Sequence, residues 1–301
     1  MKLSETVPGV ALNTLSRVAG RPAGAATFAL FHMPLARSTA RPAERELIER
    51  AHVGRVELEG KHAVTYEWGE GTRTVLLVHG WQSRGSRLSE LVTAFLDRGY
   101  RVVAFDAPGH GAASGRSATI LDYRTVLTTL HERYGAFDGL VAHSLGTLAS
   151  FFALRHGVKA ERIVTVSGVC DFDYLVDEFT SALGLRPRLK AELHRRIARD
   201  LFPGLPADRS PFSAAHTAEE VDAPLLVIHD ADDTRIGVEQ GRRLSGAFGE
   251  RARLVVTSGL GHRRILGDPE VVRAAVDFVE HGPGASHNTN RTDVHLFATL
   301  E

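Results

Sequence analysis

Six short runs of uninterrupted apolar residues constrain the fold of this chain more than any other feature. They are Thr74-Val75-Leu76-Leu77-Val78-His79, Val102-Val103-Ala104-Phe105, Leu140-Val141-Ala142, Ile163-Val164-Thr165-Val166, Leu225-Leu226-Val227-Ile228 and Leu254-Val255-Val256. A strand with one wet face alternates apolar and polar residues. A continuous run implies a strand covered on both faces, as in a parallel sheet. Segments of helical period lie between the runs. Leu88, Leu91, Val92, Phe95 and Leu96 recur in this way, as do Ile120, Tyr123, Val126, Leu127 and Leu130, and 238–247 and 270–279 behave alike. Alternating strands and helices predict an α/β fold, with a mostly parallel central sheet, right-handed crossovers and helices on both faces. Upstream, Arg55–Glu59 and His62–Glu67 alternate around Gly60-Lys61, the signal of a hairpin.

The remaining stretches divide the chain. Residues 1–50 read as an irregular, partly helical N-terminal arm. Pro42 opens a helix there, and Ala23–Phe31 packs as a helix rather than serving as a signal peptide, since glycines, Arg21 and Pro22 interrupt it. Residues 51–170 and 223–281 form the core. From 171 to 222 no strong strand occurs, only helical pieces separated by Pro187, Pro203, Pro206 and Pro211; the interval reads as a helical cap inserted at the C-terminal edge of the sheet. Residues 282–301 are polar and read as a flexible tail, in which the sequon Asn290-Arg291-Thr292 carries no weight without secretion. Basic and acidic residues balance at 36 each, which argues against a nucleic-acid partner. No apolar run is long enough to span a membrane. The single cysteine, Cys170, reads as a buried structural thiol, and the expected location is cytoplasmic.

Ser144 carries the chemistry. It follows the run Leu140–Ala142 and precedes a helical segment from Thr147 to His156. A serine hydroxyl becomes a useful nucleophile when a base reaches it and a sharp strand-to-helix turn holds it proud of its surroundings. Such a turn needs small residues two positions before and two after, and Ala142 and Gly146 stand there. Two further strand ends offer partners: His229-Asp230-Ala231-Asp232-Asp233 supplies carboxylates, and Gly261-His262 an imidazole. In an open α/β sheet, ligands bind outside the C-terminal ends of the strands.

In their order, these pieces resemble the α/β-hydrolase superfamily of serine esterases, lipases and thioesterases. The resemblance adds His79-Gly80-Trp81 and Asp106-Ala107-Pro108-Gly109-His110-Gly111, and it covers about residues 55–280. It implies Ser144 as nucleophile, His262 as general base and Asp233 as the acid that orients it, with Asp232 the next candidate and Asp230 the third. It also implies an oxyanion hole built from the backbone N–H groups of Trp81 and Leu145. The chain departs from the family in Ala142, where glycine is usual, in Asp230, and in Ala113, where a serine is usual. Asp106 is expected to cap backbone amides, and His110, His143 and His229 to be structural. Arg263 and Arg264 are expected to be solvated or paired with carboxylates rather than to bind an anionic substrate. Phe172, Tyr174, Leu175, Phe179 and Leu183 line an acyl pocket or form the cap's own core.

The sequence therefore predicts a serine hydrolase acting on a small-molecule ester or thioester, needing no metal and no cofactor. Acyl transfer, carbon–carbon hydrolysis and cofactor-free perhydrolysis use the same groups, and a non-catalytic binding protein keeps the pocket alone. Dehalogenase and epoxide-hydrolase chemistry would need a carboxylate at position 144.

Overall fold

The computed structural model describes residues 3–202 and 213–283. Pro203, Pro206, Pro211, the sequon and the tail beyond 283 lie outside the described residues. The chain begins with three helices, α1 (Leu3–Val18), α2 (Gly20–Phe31) and α3 (Pro42–Glu49). It continues through β1 (His52–Leu58), β2 (Lys61–Trp68), β3 (Thr74–Val78), α4 (Ser89–Asp97), β4 (Arg101–Asp106), α5 (Ile120–Tyr134), β5 (Gly139–His143), α6 (Leu145–Leu154) and β6 (Ile163–Val166). Two helices follow, α7 (Phe172–Ala182) and α8 (Pro187–Arg196). The chain then returns to the sheet with β7 (Leu225–Asp230), α9 (Val238–Phe248), β8 (Ala252–Thr257), the single turn α10 (Gly261–Arg264) and α11 (Pro269–His281).

The eight strands form one sheet in the order β1-β2-β4-β3-β5-β6-β7-β8. β1 and β2 form the expected hairpin, with Leu58 opposite Lys61 and Gly60 at a φ of 68°. β2 runs antiparallel to β4, and every later pairing is parallel. The continuous apolar runs are explained by what each face meets. Leu76, Val78, Val103, Phe105, Leu140 and Ala142 belong to one core cluster, and their neighbours Val75, Leu77, Val102, Ala104 and Val141 to the other. Successive side chains thus enter opposite cores, and both are buried. The edge strand β1 keeps Arg55 and Glu57 exposed, which discourages further strand addition.

Helix boundaries follow local chemistry. Thr119 and Asp122 form a capping box at the start of α5, and the Asp268 carboxylate accepts the Glu270 and Val271 amides ahead of Pro269 in α11. The arm is more regular than its glycines and prolines suggest: Gly20 and Pro22 fall in the first turn of α2, where proline's missing N–H is not needed, and α1 continues through Pro8. α1 is tied to the turn between α7 and α8: the Asn13 side chain donates to the Gly184 carbonyl at 2.8 Å and accepts the Arg186 amide at 3.0 Å. Leu12, Ala23 and Leu189 bury a small core between the arm and α8. Among the described residues no helix is long and apolar enough to cross a membrane.

Candidate active site

β3 and β5 are neighbours from which the chain departs in opposite directions, so a crevice opens at their C-terminal ends. Ser144 lies there, between β5 and α6, with φ 56° and ψ −125°. That backbone conformation is costly for a residue with a Cβ and persists only when its surroundings enforce it. Here they do. The Ser144 amide donates to the Val166 carbonyl at 3.2 Å, and the Ser144 carbonyl accepts from Thr147 at 3.0 Å and Val169 at 3.2 Å. Close approach also requires missing side chains. A Cβ on Gly80 would come within 2.6 Å of the Ser144 Cβ, and one on Gly146 within 2.6 Å of the Val78 carbonyl oxygen. Gln82, in the loop after β3, shares the positive φ, at 52°.

His262 sits in α10 and faces the same cavity as Ser144, a space of about 690 Å³. Its Nδ1–H donates to Asp233 Oδ2 at 2.8 Å. Asp233 is buried, and its other oxygen accepts the amides of Arg235 at 2.8 Å and Ile236 at 3.0 Å. Burial alone would raise this carboxyl's pKa. The hydrogen bonds from His262 and from the Ile236 and Arg235 amides outweigh it and hold the pKa down at about 2. Among the described residues no hydrogen bond joins the Ser144 hydroxyl to His262; both line the cavity.

The other two carboxylates of that loop have different partners. Asp230 accepts the amides of Asp232, Leu260 and Gly261 and the Thr257 hydroxyl, at 2.7–3.1 Å. Burial pushes its pKa up, and these four donors more than compensate, leaving it below the usual value. Asp232 accepts the Gly259 amide at 2.7 Å. Both aspartates therefore pin the loop that presents His262, and neither touches the imidazole. His143 adds another tie, its Nε2–H donating to the His262 carbonyl at 3.0 Å while its other ring nitrogen is buried without a partner. Burial, reinforced by His262, drives the His143 pKa down to about 3, so this ring is neutral.

Trp81 and Leu145 both line the cavity beside Ser144. Leu145 is the first residue of α6, where an amide has no intrahelical acceptor. Asp106 accepts the amides of Gly85 and Ala112, the Tyr66 hydroxyl and the Arg84 guanidinium, a structural role. His110 and His229 bond to the carbonyls of Pro108 and Ile236. Cys170 is buried, which pushes its thiol up to about 11.

Phe172, Leu175 and Phe179 of α7 line the cavity, and Leu183 is buried elsewhere. Tyr174 does not line it, which corrects one expectation. Its hydroxyl is engaged by the 235–237 turn, accepting the Gly237 amide and donating to the Arg235 carbonyl, each at 3.2 Å. Sequence reading missed Phe31 and Leu201. Phe31 stacks edge-on against Phe179, centroids 5.1 Å apart, and nothing in the sequence links α2 to a residue so distant in the chain. Arg264 donates to the Gly259 and Leu260 carbonyls; Arg263 is exposed, as expected of a solvated residue, and lines the cavity without a carboxylate partner among the described residues. Among the described residues only Asp277, Glu280 and His281 bring three potential metal ligands together, and Arg98 already pairs with both carboxylates.

The family model described as "Alpha/beta hydrolase family" matches residues 75–275. A non-heme chloroperoxidase from Kitasatospora aureofaciens is 35% identical over 255 residues, covering 68% of this chain and 90% of that protein. The esterase YjfP of Escherichia coli is 27% identical over 224 residues, 68% of this chain and 86% of its own. Among solved structures, an esterase from Pyrococcus furiosus superposes with a TM-score of 0.61 at 19% identity, over 83% of this chain and 97% of that one. With the parallel sheet, the strained serine turn after β5 and a family match across most of the core, the chain belongs to the alpha/beta hydrolase family.

Proposed function

We propose that this protein is a serine hydrolase that cleaves a carboxylic ester or thioester through an acyl-enzyme. One observation carries the reading: a serine held in a costly backbone conformation faces the same cavity as an imidazole whose far nitrogen is bonded to a buried carboxylate. The His262–Asp233 bond fixes the tautomer, with the proton on Nδ1 and a lone pair on Nε2. The Ser144 hydroxyl turns about one single bond, and contacts of this kind tighten when substrate fills the site. Ser144 Oγ then attacks the carbonyl carbon as Nε2 takes its proton. The developing oxyanion is stabilised by the amides of Leu145 and Trp81, donors already oriented before the reaction starts. Expulsion of the alcohol or thiol takes the proton back from His262. Water, activated by the same nitrogen, releases the acid and restores Ser144. α7 and α8 act as a cap, with Phe172 and Phe179 on the acyl side of the pocket. The relatives named as esterases support this reading.

The test uses Ser144→Ala. The variant should keep its circular dichroism spectrum, lose labelling by a fluorophosphonate probe and lose hydrolysis of p-nitrophenyl butyrate. Labelling that survives the substitution would sink the assignment.

The relative named as a chloroperoxidase favours a second reading on the same groups. Hydrogen peroxide in place of water would attack the acyl-enzyme and give a peracid and free Ser144. Peracid formed from an ester and peroxide, and absent in Ser144→Ala, would establish it.

A further inference from the structure

The wall of the cavity is unevenly charged. Arg41, Arg87, Arg235, Arg263 and Arg264 all contribute to it; Arg264 is held on the Gly259 and Leu260 carbonyls, and Arg235 and Arg263 are exposed. Arg41 and Arg87 share the buried carboxylate of Glu44, and Arg87 also donates to Ser38 and the Thr39 carbonyl. Arg235 and Arg263 have nothing comparable: among the described residues neither side chain forms an ion pair or a hydrogen bond. Glu90 and Glu178, the other acidic residues on the wall, pair with neither. Partial burial and the guanidiniums of Arg235, Arg87 and Arg41, all of one sign, depress the pKa of Arg263. An arrangement of like charges at a cavity mouth is self-repulsive when empty and is relieved by an anion. Arginine suits this role, since its planar fork matches a carboxylate or phosphate with two parallel hydrogen bonds.

Resting on the hydrolase reading, we infer that Arg263 and Arg235 form an anion-binding subsite beside Ser144, and that the ester or thioester cleaved there carries a carboxylate or phosphate. The apolar wall of Phe31, Phe172 and Phe179 receives the hydrocarbon part, and the arginines receive the charged end. The anion sits on the acyl chain or on the leaving group, and two substrate pairs separate these sources. Mono-p-nitrophenyl adipate is compared with its methyl ester for the acyl side, and butyryl-phosphopantetheine with butyryl-pantetheine for the leaving side.

In one of the pairs the wild-type chain should favour the charged member in kcat/KM by at least about tenfold, which corresponds to about 1.4 kcal/mol. That ratio should fall toward one in the Arg235→Gln/Arg263→Gln double variant and at about 0.5 M salt, and Arg263→Lys, which keeps the charge and loses the fork, should fall between wild type and the double variant. Ratios near one in both pairs, or ratios untouched by the double variant, would overturn the inference while leaving the hydrolase reading intact. If no ester is turned over, the hydrolase reading fails and binding decides the subsite. Calorimetry on Ser144→Ala then compares adipate with dimethyl adipate and phosphopantetheine with pantetheine, and equal affinities within each pair would overturn it.

Discussion

Asp230, Asp232 and Asp233 lie within four residues, yet each carboxylate is committed to different donors. Among the three, Asp233 alone bonds to the His262 ring, while Asp230 and Asp232 accept hydrogen bonds from the 257–261 loop. Composition cannot separate three neighbouring aspartates; the turn after β7 decides which one points at the imidazole, and turn geometry is poorly written in sequence. The resemblance implied Asp233, and Asp233 is the carboxylate that accepts from the His262 ring. Tyr174 shows the opposite case. An aromatic on a helix near the site reads as pocket lining until the hydroxyl's two partners are seen. The prediction at this scale concerns Asp233→Asn. The amide preserves the shape but can donate to Nδ1, which leaves the proton on Nε2, where it cannot accept from serine. We expect kcat for p-nitrophenyl butyrate to fall by about 10⁴ with KM little changed, by analogy with the same change in serine proteases. A loss below about tenfold in steady-state assays would remove Asp233 from the reaction.

The strands from β3 to β8 and the helices between them were legible because burial writes a continuous apolar run; β4 to β8 each contain their run and β3 ends one residue short of His79, while the edge strand β8 is only partly buried. The walls of the cavity were not legible, because they are assembled from elements remote in the chain. Phe31 comes from α2 and Phe179 from α7, and they meet edge to face on the cavity wall. The sequence placed both on helices but could not place the helices against each other. A prediction follows for this pair of elements. Truncating Phe179 to alanine removes a ring from a wall that otherwise limits chain length. On a graded series of p-nitrophenyl esters, the preferred acyl chain should lengthen by about two to four carbons, and kcat/KM for the longest esters should rise severalfold. Phe31→Ala should shift the preference the same way, since it opens the same wall. Tyr174→Phe should leave the length profile where it is, because that ring is not on the cavity. An unchanged profile in both alanine variants would place the acyl chain elsewhere.

Across the whole molecule, the histidines of the core set how the fold responds to acid. His32, His79, His110, His143 and His229 are buried, and each is bonded through a ring nitrogen to a backbone carbonyl. Burial lowers the pKa of all five below the ordinary 6.5. They are neutral in the folded chain, whereas in the unfolded chain they take up protons as pH drops through that value. The unfolded state then binds more protons than the native state, so stability falls with pH, by about 1.4 kcal/mol per pH unit for each histidine still neutral in the fold. For His143 the loss runs from about 6.5 down to about 3. Asp233 adds its own loss later, between the ordinary carboxyl value and about 2, as its bonds to His262 and the two amides are given up. His110, His143 and His229 were expected to be structural, but their depressed pKa values and the burial of His32 and His79 could not be read from the chain, because which of its 15 histidines lose their water depends on the finished packing. The expected outcome is a free energy of unfolding, measured in urea, that is flat above about pH 7.5 and declines steeply from about pH 6.5 to 5, before any carboxylate titrates. His143→Asn, which keeps a donor for the His262 carbonyl, should lower that slope by about one proton. Stability that stays level from about pH 8 to pH 5 would mean that these imidazoles are protonated inside the fold, and the hydrogen bonds assigned to their neutral rings would have to be redrawn.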